Sequence, residues 1–119
     1  MLGGGADLAG TSWQLTSLRK TFPLEGSSIT LNFDKDSLGG SGGCNSYGGE
    51  YKVSGEKLTI SSVFSTEMYC EAAGLMDQEA AYYELLSKVT GFSLEGDVLT
   101  LTTEDGETLV FQRFANLPD

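Results

Sequence analysis

The sequence predicts an α+β fold that is mainly β: an antiparallel sheet or partly open β-barrel packed against one helix. Three observations predict it. Apolar and polar residues alternate over at least six short segments, one stretch between them steps by three and four residues, and glycine-bearing turns separate the segments. The order is strands, one helix, then strands.

From about Ser12 to Leu18, Trp13 and Leu15 alternate with polar neighbours, and after a loop through Pro23 and Gly26 the alternation resumes with Ile29, Leu31 and Phe33. Both segments are half-buried strands. Residues 47–53 and 57–62 flank Ser54, Gly55 and Glu56, with Tyr51 and Val53 on one face and Leu58 and Ile60 on the partner, which is a hairpin pattern. Leu75, Glu79, Tyr82, Tyr83, Leu86 and Val89 then fall at helical steps in a stretch free of glycine and proline. Phe92 with Leu94, Leu99 with Leu101, and Leu109 with Phe111 close the chain as a meander, turning at Gly96 and Asp97 and again at residues 104–107.

Residues 39–51 place six of the sixteen glycines around Cys44, and the second cysteine, Cys70, ends the run from Ser65. Such glycine density implies a backbone bent through angles that side chains forbid. Cys44 is either a lone thiol or half of a bridge to Cys70. No basic run accompanies it to lower its pKa, which favours the bridge. A bridge would close a loop of 26 residues, for which chain entropy gives roughly 3–4 kcal/mol.

At 119 residues, with 39% hydrophobic residues and twelve aromatics, the chain supports one core and no second. We expect one domain over residues 11–115, between an N-terminal segment 1–10 and a tail 116–119. Seventeen acidic against seven basic residues give a net charge of −10, which disfavours nucleic acid and anionic lipid. No apolar run approaches the roughly 20 residues of a membrane helix, so no membrane insertion is expected. The first ten residues have neither the basic nor the apolar region of an export signal.

The chain contains no histidine, which removes imidazole-assisted nucleophiles and His-based zinc sites. Residues 34–39 begin like a calcium loop, but Leu38 stands where an oxygen ligand belongs and Asn45 where a bidentate acid is needed. A polar turn after Phe33 is the simpler reading. The glycine run lacks the Gly-Lys-Ser/Thr ending of a phosphate loop. Carboxylate pairs such as Glu79 with Glu84 could serve glycosidase chemistry, yet charged helix residues usually form the solvated face. We therefore expect no catalytic residue, cofactor or metal.

In order along the chain, residues 11–15, 29–33 and 42–51, the run from Ser65 through Thr66 and Met68 to Cys70, and Met76 with Glu79 resemble the META domain, the HslJ-type family. The Gly43-Cys44-Asn45 element with a downstream Thr-x-Met-x-Cys is the specific part. An extra glycine before Cys44 and the lack of a lipid-attachment cysteine near the N-terminus depart from anchored members. The resemblance implies a compact β-rich domain with one helix, common in bacterial secreted or lipid-anchored proteins and linked in some members to heat shock, antibiotic tolerance or virulence. It brings no catalytic activity. Gly43, Asn45, Tyr47, Trp13 and Thr66 are expected to be structural motif residues, with Asn45 turning the chain through left-handed angles and bonding nearby main chain.

The resulting expectation is a monomeric, non-enzymatic, extracytoplasmic accessory domain that binds an unidentified protein or small apolar ligand. A carboxylate-based hydrolase and a purely structural domain of a larger secreted protein are the alternatives.

Overall fold

The computed structural model describes residues 8–114. Eight strands follow in order, β1 (Ser12–Leu18), β2 (Thr30–Phe33), β3 (Ser37–Ser41), β4 (Ser46–Ser54), β5 (Lys57–Ser65), β6 (Val89–Glu95), β7 (Val98–Thr103) and β8 (Thr108–Arg113), with the helix α1 (Leu75–Leu86) between β5 and β6. Each strand pairs antiparallel with the next, and β1 pairs with β8 from Trp13 opposite Arg113 to Leu18 opposite Leu109. Of the two forms the sequence leaves open, the barrel is the one found, and the β1–β8 pairing completes its ring.

Period-two burial explains why the ring closes. Trp13, Leu15, Leu31, Phe33, Leu58, Ile60, Leu99, Leu101, Leu109 and Phe111 alternate with exposed or half-exposed neighbours and form one buried cluster. Each large side chain so buried contributes about 1.5–3 kcal/mol, and a closed ring leaves few unpaired edges. The turns match their sequence signals: Gly55 and Gly96 both adopt φ 63° in the two-residue turns after β4 and β6.

Two differences from the sequence reading concern boundaries. The polar turn after Phe33 spans only residues 34–36, and the chain then forms β3 through Leu38, Gly39 and Gly40, a strand that glycine-rich sequence conceals. The helical stripe ends at Leu86, and Val89 is the buried first residue of β6. Helix α1 is preceded by its N-cap residue Gly74, φ 79°, which supplies no side-chain cap. Its Gln78 instead reaches back to the long β1–β2 loop, accepting from the Leu24 amide at 2.7 Å and donating to Ser27 Oγ at 3.1 Å. Most of the expected N-terminal segment and the whole tail lie outside the described residues, but Leu8 is fully buried and the Gly10 amide bonds the Phe33 carbonyl.

Helix α1 belongs to the core. Tyr82, Leu85 and Leu86 are buried in the same cluster as the strand residues. The Tyr82 ring meets Tyr47 of β4 at 5.5 Å and Phe111 of β8 at 6.5 Å, both edge-on. β4 and β8 stand opposite one another in a ring of eight, so the helix lays this side chain across the barrel interior. Tyr82→Ala should cost about 3–5 kcal/mol in denaturant unfolding through the cavity it leaves. Tyr82→Phe should cost only about 1 kcal/mol, because Tyr47 keeps its donation to the Thr30 carbonyl. Equal, small losses in both variants would mean that α1 is peripheral to the core.

Candidate functional site

The glycine-cysteine-asparagine segment joins β3 to β4 beneath the first turns of α1. Gly43 takes φ 115°, a conformation closed to side chains, and the chain needs it there to present two successive amides, Cys44 and Asn45, to the helix. A Cβ at Gly42 would collide with the Tyr83 hydroxyl and stand 2.9 Å from Glu79 Oε2. Close approach of the loop backbone to α1 is therefore what the glycines supply.

Glu79 fills that approach. Its Oε2 accepts from the Cys44 amide at 3.0 Å, the Asn45 amide at 2.6 Å and Tyr83 Oη at 3.3 Å, while Oε1 accepts from Asn45 Nδ2 at 2.8 Å. Asn45 passes the connection onward. Its side-chain Nδ2 donates to the Met68 carbonyl at 3.2 Å, and its Oδ1 accepts from the Met68 amide at 2.6 Å and from Thr66 Oγ1 at 2.8 Å. One side chain thus pairs both main-chain groups of Met68, as a neighbouring strand would. Thr66 Oγ1 in turn accepts from the Ser46 amide.

The bridge seals this arrangement: Cys44 and Cys70 are bonded, with Cα atoms 5.9 Å apart. Beyond it, Tyr47 Oη donates to the Thr30 carbonyl at 2.7 Å and contacts Tyr82 Oη at 2.6 Å, while its ring lies 5.4 Å from that of Tyr83.

Burial pushes the Glu79 carboxyl toward higher pKa, but the four hydrogen bonds to its charged form outweigh this and hold it below the usual carboxylate range. Burial raises Tyr47 and Tyr82, with the hydrogen bond between them a smaller influence. Tyr83 is raised by burial and then by the adjacent Glu79 charge.

Of the residues singled out by sequence, Cys44, Cys70, Gly43, Asn45, Tyr47 and Thr66 converge here. Trp13 does not take part in this hydrogen-bond cluster. It lies fully buried on β1, its Nε1 donating to Thr11 Oγ1 and the Arg113 guanidinium standing 4.5 Å from its ring. Two expectations need correction. Asn45 does not turn the chain through left-handed angles, since Gly43 does so and, among the described residues, the non-glycine positions with positive φ are Arg19, Lys20 and Ser62. Glu79 is not on a solvated face: it is 3% exposed and central to the cluster. Its position within the apolar stripe of α1 was the available signal. Among the described residues no three of His, Cys, Asp and Glu gather to hold a metal ion, and no buried side-chain polar atom lacks a partner.

The order of the motif along the chain and the fold around it agree with a family model that matches residues 6–116, the META domain. The chain belongs to the META domain family. Solved structures share the fold. A protein from Burkholderia xenovorans studied by NMR is 28% identical, with a TM-score of 0.75 over 92% of this chain and 85% of its own. A second NMR structure is 24% identical, with a TM-score of 0.73 over 94% and 95% of the two chains. A crystal structure of a DUF4847 family protein from Bacteroides vulgatus, 12% identical, gives a TM-score of 0.66 over 97% and 100%. The last two show the fold alone. No curated protein sequence matches the chain.

The bonding pattern predicts that Glu79→Gln costs about 2–3 kcal/mol, because no orientation of a glutamine amide can accept from the two loop amides and from Asn45 Nδ2 together. The sign of the pH effect follows from the lowered pKa. Stabilisation by Glu79 is full above the ordinary carboxylate value and is lost as pH falls through the lower folded value. Denaturation midpoints measured from neutral pH into that acid range should therefore fall more steeply in the parent than in Glu79→Gln. Asn45→Ala should also lose about 2–3 kcal/mol at neutral pH, and an unchanged midpoint would refute the structural role given to its amide.

Proposed function

We propose that this META domain is a non-enzymatic, extracytoplasmic accessory domain that acts by binding, with its motif residues serving as scaffold. One observation carries the reading: the polar cluster built on Asn45 and Glu79 spends its hydrogen-bonding capacity on the protein's own main chain. A general acid working near neutral pH needs a raised pKa. The only carboxyl buried in the cluster moves the other way.

The disulfide supports an oxidising compartment, since such bridges persist outside the reducing cytosol. Among the described residues no helix is long and apolar enough to cross a membrane. The links of some family members to heat shock, antibiotic tolerance and virulence suit a domain of this kind and extend to this chain as part of the proposal.

Two measurements test it. Alkylation of thiols in intact host cells, before lysis, should leave Cys44 and Cys70 unlabelled; trapping both as free thiols would overturn the extracytoplasmic assignment. An NMR titration of the side-chain carboxyls should place Glu79 below the ordinary glutamate value. A carboxyl titrating near neutrality, with a second acid beside it, would revive the hydrolase alternative.

A further inference from the structure

The barrel is closed unevenly at β5. This strand runs from Lys57 to Ser65, yet its register with β6 is a single pair, Lys57 opposite Gly91, joined by the Phe92 amide bonding the Glu56 carbonyl at 3.0 Å. Continued antiparallel, that register sets Thr59 opposite Val89, where β6 begins. From Ile60 onward the outer edge of β5 has no sheet neighbour among the described residues.

Helix α1 stands across the gap. The space between is an open groove of about 470 Å³, with Val63, Phe64 and Ser65 on the strand side, Tyr83, Glu84 and Ser87 on the helix side, and Glu67 past the strand end. Such an edge offers unpaired main-chain groups to any extended segment that reaches it. Proteins blunt such edges with lysine or proline, with bulges or with a covering helix. No lysine or proline stands among residues 58–65, and the β4–β5 bulge and α1 beside this edge leave an open groove between strand and helix.

The strand is shaped at this point. The β4–β5 register slips by one residue between Gly48 opposite Phe64 and Glu50 opposite Ser61, and Ser62 inside the bulge takes φ 58°. A bulge of this kind re-aims the side chains that follow it. Phe64 follows it, 67% exposed, with its ring beside Gly48 and Cζ 2.8 Å from where a Cβ would be. The ring packs beside Gly48 and stays largely open to solvent.

We propose that the free edge of β5 is a docking site for an extended peptide segment of a partner, which adds as a strand in this groove and sets basic side chains against Glu67 and Glu84. Charge selects the occupant. The groove lining contains two glutamates and no lysine or arginine, on a chain of net charge −10. Glu84 is held at 3.3 Å by exposed Lys88, a solvent-screened pair that an incoming cation can exchange. A second copy of this chain would bring the same carboxylates and net charge against themselves. A small apolar ligand would find a groove open to solvent and lined largely by polar groups. Strand addition supplies affinity through main-chain bonds and specificity through alternate side chains.

The inference rests on the binding role proposed above and names the class of partner. Its test is an NMR titration of the full chain with a short capped peptide of alternating lysine and valine, beside two versions N-methylated on alternate amides in the two possible frames. Saturable shifts should centre on residues 63–67 and 83–87. One methylated frame should weaken binding by about tenfold or more, through loss of its edge bonds, while the other frame binds like the parent. Glu67→Lys and Glu84→Lys, both surface changes, should each weaken the parent peptide several-fold. Equal binding by both methylated frames would reduce the effect to charge alone and overturn the proposal. Shifts elsewhere, no shifts, or dimerisation through β5 in sedimentation would also overturn it. The thiol-trapping result does not depend on this titration, so the compartment and the docking edge can fail separately.

Discussion

The carboxylate of Glu79 is the constraint around which the irregular half of the molecule is organised. Strands close a barrel through a repeated main-chain ladder, but the β3–β4 connection, the segment after β5 and the start of α1 have no ladder to share. Glu79 gives them one. It takes two loop amides and the Asn45 side chain at once, and Asn45 then pairs the main chain of Met68, so three segments distant in sequence satisfy one another's polar groups. A buried carboxylate is ordinarily costly. Here donors surround it, and burial and bonding both demand that the loop approach closely, which is why glycine stands at positions 42 and 43.

The disulfide and this cluster act on the same segments by different means. The bridge limits the unfolded chain, at roughly 3–4 kcal/mol for a closed loop of this size. The cluster orders the folded one. Neither replaces the other, because a tether from Cys44 to Cys70 does not by itself pair the Met68 amide or carbonyl, and the hydrogen bonds do not restrict the chain once it has unfolded. A barrel with one short helix has a limited core, so a loop connection fixed in both states contributes a large share of its stability.

The barrel was legible in the sequence wherever one face is wet. Residues 12–16 alternate and β1 runs on to Leu18 past a register shift against β8 between Leu15 and Ser17, and the hairpin and meander follow from alternation plus turn glycines. Legibility failed at β3, where Gly39 and Gly40 carry no side chain to alternate. Steric crowding explains their presence: a Cβ at Gly40 would run into the Thr30 carbonyl and one at Gly39 would stand 2.9 Å from the Tyr47 carbonyl. The cysteines and Asn45 could be singled out because their residue types are rare and their spacing is distinctive. Glu79 could be placed on the helical stripe but not understood there, since three of its four hydrogen bonds come from 34 and 35 residues away and two of those are from backbone amides, which look alike in every sequence.

This difference bears on where a binding surface should be sought in the family fold. A cluster that consumes its own polar groups is stable because it has nothing left to offer, so the conspicuous motif and the functional surface need not coincide. The same geometry nevertheless positions the edge of β5. Asn45 and Thr66 hold the chain immediately beyond Ser65, and Tyr83, which forms part of the groove wall, is hydrogen-bonded to Glu79 on its inner side. With the strand end and the helix both fixed to the Asn45–Glu79 cluster, the gap between them is held at a set width without a sheet partner in it. An edge strand kept open in this way is preorganised: the ordering cost of the receiving surface is met on folding, before any partner arrives.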